Sequence, residues 1–259
     1  IIEAGAFVSP KWVPQMADAS QVLGGIQRQP GLSFSALVPN MQGLEAALAA
    51  GVDEVVIFGA ASETFSQKNI NCSIAQSIER FAPVARATLQ HGLKLRAAVS
   101  CALGCPYEGE VPISNVLSVI QRLADLGVQC IGISDTIGVG TPEQTKRIMQ
   151  AAGKIMGIER LSGHFHDTYG MGVANVYAAL QIGVSTFESS VGGLGGCPYA
   201  KGATGNVATE DLVYLLEGLG IVTGISLPLL SQTGAWISGQ CGRPYAARAG
   251  RALLSTQKA

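Results

Sequence analysis

Apolar positions along the chain come in two alternating patterns. Short runs of mainly small, β-branched and aromatic residues fall at 1–7 (IIEAGAF), 33–39 (SFSALVP), 54–61 (EVVIFGAA), 93–101 (LKLRAAVSC), 130–136 (CIGISDT), 161–167 (LSGHFHD) and 186–191 (TFESSV). Between them lie longer stretches with helical spacing, at 41–50, 73–91, 115–127 and 142–156. Near-continuous apolar strands separated by helices predict a parallel sheet covered on both faces. The boundaries agree with this. Thr141-Pro142 reads as an N-cap with proline at the first helical position and Glu143 in the first turn. Gly51, Gly92, Gly127 and Gly183 each follow a helical stretch, where a left-handed residue is expected.

Seven βα units result, one fewer than a closed eight-stranded barrel needs. The chain opens on Ile1 inside a strand-like run, so the expected absentee is the first unit. A doubly wound open sheet is the rival. It usually carries a GxGxxG turn after its first strand, and none is found there. Glycines cluster instead at the carboxyl ends of strands, where barrel active-site loops lie. From about residue 226, LPLLSQTGAWISGQC and RPYAARAGRALL read as two helices packed outside or over the barrel. The expectation is one α/β domain over 1–259, a (β/α)8 TIM barrel short of its first βα unit, with extra C-terminal helices.

Composition narrows the function. With 259 residues, 47% hydrophobic and 14% charged, the chain can bury one large core. A net charge of −1 gives no electrostatic case for nucleic acid or an anionic membrane. No apolar run approaches the ~20 residues needed to span a bilayer. Six unevenly spaced cysteines do not read as a disulfide framework. A reducing compartment follows, with bacterial cytoplasm as the default, or the mitochondrial matrix in a eukaryote. An apolar tail holding Trp236 and Cys241 points to a partner surface, and hence to a homo-oligomer, dimer or higher.

The candidate chemistry sits at strand ends. In GHFHDTYG (163–170), His164 and His166 are two apart and face the same way on a strand, either chelating a divalent cation or simply hydrogen-bonded. Asp167 and Tyr169 either orient those rings or, for Asp167, cap a following helix over 168–182. In GGLGGCPYAKGATGNVATED (192–211), Cys197 lies in a glycine-rich loop able to close over a substrate. Asn206 either caps a helix beginning near Val207 or offers its amide oxygen to a metal. Glu210 is either an acid suited to that helix N-terminus or an active-site carboxylate. Asn69 and Asn71 read as loop residues that hydrogen-bond substrate or satisfy backbone groups. Arg96, inside an apolar strand, calls for a carboxylate partner within the barrel.

Six motifs in order, AFVSPKWVPQMAD (6–18), NINCS (69–73), VSCALGCPYEG (99–109), DTIGVGTP (135–142), GHFHDTYG and the Cys197 stretch, resemble the 3-hydroxy-3-methylglutaryl-CoA lyase family. The likeness runs to about residue 226. It implies a metal-dependent retro-Claisen cleavage of an acyl-CoA substrate to acetoacetate and acetyl-CoA, in leucine breakdown. It implies Mg2+ or Mn2+ held by His164, His166 and Asn206, with Cys197, Asp135 and Glu3 as catalytic residues. Cys197 would be the proton donor, Asp135 the base or its partner, and Glu3 an orienting carboxylate or a barrel-interior ion pair. Asn69, Arg96 and Glu210 would line the substrate site. Family members complete the metal site with an aspartate in an Arg-Asp-Gly-Leu-Gln strand. That run is absent here and is expected upstream of Ile1, failing which an inactive paralogue is the alternative. Arg96-Ala97-Ala98 replaces the usual Arg-Gly-Tyr, and Ser134 a usual glycine. Ala98 opens room for a bulkier 3-hydroxy-3-alkylglutaryl-CoA.

Overall fold

The computed structural model describes residues 1–196 and 205–256. Seven strands form one parallel sheet in sequential order: β1 (Ile2–Ala6), β2 (Phe34–Leu37), β3 (Glu54–Ala60), β4 (Lys94–Ser100), β5 (Cys130–Asp135), β6 (Leu161–Phe165) and β7 (Thr186–Glu188). The crossovers carry α1 (Ala19–Gly25), α2 (Met41–Ala49), the consecutive α3 (Glu63–Ile70) and α4 (Ile74–Gln90), α5 (Ile113–Asp125), α6 (Pro142–Met156) and α7 (Gly172–Gln181). After β7 come α8 (Thr209–Gly218), α9 (Leu227–Gln240) and α10 (Arg248–Thr256). Among the described residues, no helix is long and apolar enough to cross a membrane.

Each predicted strand is present, and β7 is shorter than expected. Gly51, Gly92, Gly127 and Gly183 all have positive φ, between 70° and 96°, as their places after helices required. Three helix readings need correction. Asn69, read as a loop residue, lies in α3, started by Ser62, whose hydroxyl accepts from Phe65 N. Helix α7 begins at Gly172, not 168, because the chain turns through a left-handed Gly170 first. Helix α8 begins at Thr209, and Asn206 does not cap it.

The two faces of the sheet differ in kind. One packs on the helices: Val55, Ile57, Leu95, Ala97, Val99, Ile131, Ile133, Leu161 and Phe165 are within 1% of complete burial, against Leu44, Val84, Val116, Ile120, Ile148 and Val176. The other carries Glu3, Glu54, Arg96, Ser134, Ser162, His164 and Glu188, the alternate positions of the same strands. Arg96 on β4 reaches Glu54 on β3 (3.1 Å), Glu3 on β1 (2.7 Å) and Glu188 on β7 (2.5 Å). One guanidinium touching both ends of a seven-stranded order requires the sheet to curl around it, as barrel strands do. The C-terminal helices α9 and α10 pack on one another, on α8 and on the turn Val191–Gly193.

Candidate active site

His164 is the fourth residue of β6 and lies opposite Glu188 of β7 in the register. His166 follows the strand and pairs with Asn206 in an antiparallel bridge. The bridge is continued by Asp167 N donating to Gly205 O (3.2 Å) and Val207 N to Phe165 O (2.9 Å). Directly opposed residues of an antiparallel pair project to the same side, so Asn206 joins the histidine face. The two rings lie 5.6 Å apart between centroids, with planes inclined by 32°.

The donor atoms are set by hydrogen bonds. Nδ1 of His164 is 2.9 Å from Glu188 Oε2, which leaves Nε2 for the mouth. Asn206 Nδ2 donates to Leu194 O (3.0 Å), which leaves its Oδ1 as an acceptor. Gly195 makes room for that amide, since a Cβ there would lie 2.6 Å from Asn206 Nδ2. Among the described residues no group of three His, Cys, Asp or Glu side chains is placed to hold a metal ion. A cation here would therefore rest on two imidazoles and one amide oxygen. That donor set, with positions left for substrate or water, fits a hard or borderline divalent ion and not a closed thiolate zinc site.

Electrostatics follow from the shared cation. Burial alone would raise the Glu188 carboxyl, but the His164 hydrogen bond and the charge of Arg96 hold it down at about 2. Burial works against a charged His164; Glu188 outweighs it and raises the ring above its ordinary range. Glu3 is raised by burial against the pull of Arg96, although its side chain keeps 44% of its exposure at the rim.

Not every residue expected from sequence joins this cluster. Asp135 is fully buried, and its two oxygens accept from Val139 N (3.1 Å) and Gly140 N (2.8 Å). Burial lifts it to about 6, and both oxygens accept from the backbone of the loop they fold. Arg96 is paired inside the barrel: Nε, Nη1 and Nη2 each bind a carboxylate, the interior partner its strand position required. Glu210 lies in the first turn of α8. It is fully buried, accepting from Gly192 N (3.0 Å) and Tyr245 Oη (3.0 Å), and ties the C-terminal segment to the start of the glycine-rich stretch. Asp167 is not the N-cap of α7, a place held by Met171, but it accepts from Gly172 N (2.9 Å) and pairs with Arg248 (2.7 Å). Asn69 is half-buried in the last turn of α3, and Asn71 is the left-handed residue that ends that helix. Cys197 lies outside the described residues.

Sequence reasoning did not single out Glu188 or Glu54. The available signal was an acid at an alternate position of an otherwise apolar strand, the same signal that drew attention to Arg96.

The HMGL-like family model matches residues 1–237. A Pseudomonas aeruginosa protein named 3-hydroxy-3-isohexenylglutaryl-CoA/hydroxy-methylglutaryl-CoA lyase is 53% identical over 254 residues, covering 98% of this chain and 85% of its own length. The crystal structure of a hydroxymethylglutaryl-CoA lyase from Pseudomonas aeruginosa superposes with a TM-score of 0.95 at 53% identity, over 98% of this chain and 85% of that one. An HMG-CoA lyase from Acinetobacter baumannii in complex with coenzyme A and 3-methylmalate superposes with a TM-score of 0.92 at 36% identity, over 97% of this chain and 82% of that one.

Proposed function

The chain belongs to the HMGL-like family, and on that premise we propose that it is a divalent-cation-dependent carbon–carbon lyase cleaving (S)-3-hydroxy-3-methylglutaryl-CoA to acetoacetate and acetyl-CoA, a step of leucine breakdown. The observation that carries the reading is the meeting of His164, His166 and Asn206 on one side of the strand ends. These three would hold Mg2+ or Mn2+. A cation bound there would supply Lewis-acid chemistry and a template for the substrate's oxygens.

The chain's own groups supply the proton transfers. The C3 hydroxyl must lose its proton as the C2–C3 bond breaks, and the thioester enolate must then gain one at carbon. Of the two carboxylates assigned from sequence, Glu3 is open at the rim and Asp135 is closed. Glu3 is therefore the proton acceptor; Arg96 holds one of its oxygens and leaves the other free. Its raised carboxyl moves toward the operating pH, where a general base works best. Cys197 donates the proton to the enolate carbon. Asp135 acts at one remove, holding the loop through Gly140.

The test is acetoacetate release by the purified protein. Chelation by EDTA should abolish it and added Mg2+ or Mn2+ restore it; turnover indifferent to metal would overturn the reading. A longer 3-alkyl substrate is a second reading, favoured by Ala98, two positions beyond Arg96 on the same strand face. The Pseudomonas aeruginosa relative carries an isohexenyl substrate in its name. Competition between the methyl and isohexenyl thioesters decides between them.

A further inference from the structure

Glu188 has a place in the fold that an ordinary salt bridge does not need. Its Oε2 is 2.9 Å from His164 Nδ1, while Oε1 accepts from Arg96 Nη1 (2.5 Å) and Ser162 Oγ (2.9 Å). Both oxygens are thus committed, one to the histidine and the other to two anchors on β4 and β6. Its route lies across β5, at Gly132. A Cβ at that position would stand 2.8 Å from Glu188 Oε1 and 3.1 Å from Ser162 Oγ. Gly132 has no positive φ, so a turn does not explain the glycine; the space above it does.

We propose that Glu188 is the positioning residue of the histidine pair, accepting the Nδ1 proton of His164 so that the Nε2 lone pair faces the mouth, and that Gly132 is the opening through which it reaches. An ionised carboxylate can only accept, so the ring nitrogen facing it must be the one that carries hydrogen. A hydrogen bond at one ring nitrogen sets which nitrogen is free to bind a metal. The consequence for cation binding rests on the lyase reading; the tautomer does not.

The chain has three histidines, so ring nitrogen resonances of protein labelled with 15N-histidine are few enough to assign. At alkaline pH, where the rings are neutral, His164 should be Nδ1-protonated. In Glu188→Ala it should move toward the Nε2–H form that a free imidazole favours. Gly132→Ala should shift it the same way, because the new methyl displaces the flexible end of Glu188 and not backbone. The double variant should go no further than Glu188→Ala, since both changes remove one interaction. Mn2+ affinity by calorimetry should fall roughly 10–100-fold in each variant. An unchanged tautomer in both single variants overturns the proposal, and Gly132→Ala keeps it testable if Glu188→Ala does not fold. Unmodified protein that fails to cleave the thioester, with the tautomer shift present, would remove the lyase reading alone.

Discussion

Replacing Arg96 by methionine tests the interior hardest. Methionine keeps most of the volume and removes the charge on which Glu3, Glu54 and Glu188 converge. The three pairs are not equal. Glu54 and Arg96 keep 6% and 10% of their side-chain exposure, whereas Glu188 keeps 21% and Glu3 44%. The Glu3 pair is therefore screened by water and adds little. Breaking a buried pair by removing one partner costs about 3–5 kcal/mol, because the other charge is left uncompensated. Glu54 alone should account for most of that, which sets the expected loss for Arg96→Met at about 3–5 kcal/mol. For a chain of this size the corresponding fall in Tm is on the order of 6–20 °C. Urea denaturation followed by circular dichroism at neutral pH measures it. Two further results separate charge from packing. Adding Glu54→Gln to Arg96→Met should recover more than about 1 kcal/mol, since it removes the most buried of the orphaned charges. The deficit should also narrow as pH falls toward the carboxylate range. Without Arg96 the folded state loses part of what holds the Glu188 carboxyl below its unfolded value, so that carboxyl rises in the variant. A depressed carboxyl loses its stabilising contribution as pH falls, and the variant, with less of that contribution, has less to lose. An Arg96→Met protein within about 1 kcal/mol of the unsubstituted one, with no recovery from Glu54→Gln, would refute this account.

Other consequences are simpler to check. Tyr245→Phe removes the donor to Glu210 while leaving the ring, and should cost about 1.5–3 kcal/mol in thermal or urea unfolding, the range for hydrogen bonds to charged groups. Gly205→Ala should impair folding outright, because its Cβ would sit 1.7 Å from the carbonyl oxygen of Gly193, a backbone atom of the turn Val191–Gly193; soluble yield and Tm report it. Cys197→Ser should keep substrate binding and lose most of kcat, and an unchanged kcat would remove Cys197 from the proton transfers. His166→Ala should weaken Mn2+ binding in calorimetry, and equal affinity would return that ring to a structural role.

Much of this protein was determined by sequence alone. Strand and helix alternation follows from the period of apolar residues, a local property, and placed all seven strands of the sheet. The glycines after helices were legible because only one backbone conformation suits that position. His164 and His166 could be assigned to one face because strand geometry alternates sides regardless of context. Tertiary structure decided what the remaining polar groups do. Asp135, Glu210 and Arg96 carry the residue types of an active site, and each is held by partners between 4 and 93 positions away. Sequence distance hides the partners of Arg96, because curling the sheet is what brings β1 and β7 to the same guanidinium. Glu188 is the converse case. It stood unremarked in a short strand until register set it opposite His164 and the bare Cα of Gly132 let it cross. Periodicity along the chain fixes which way a side chain points, and closure of the sheet fixes what it meets there.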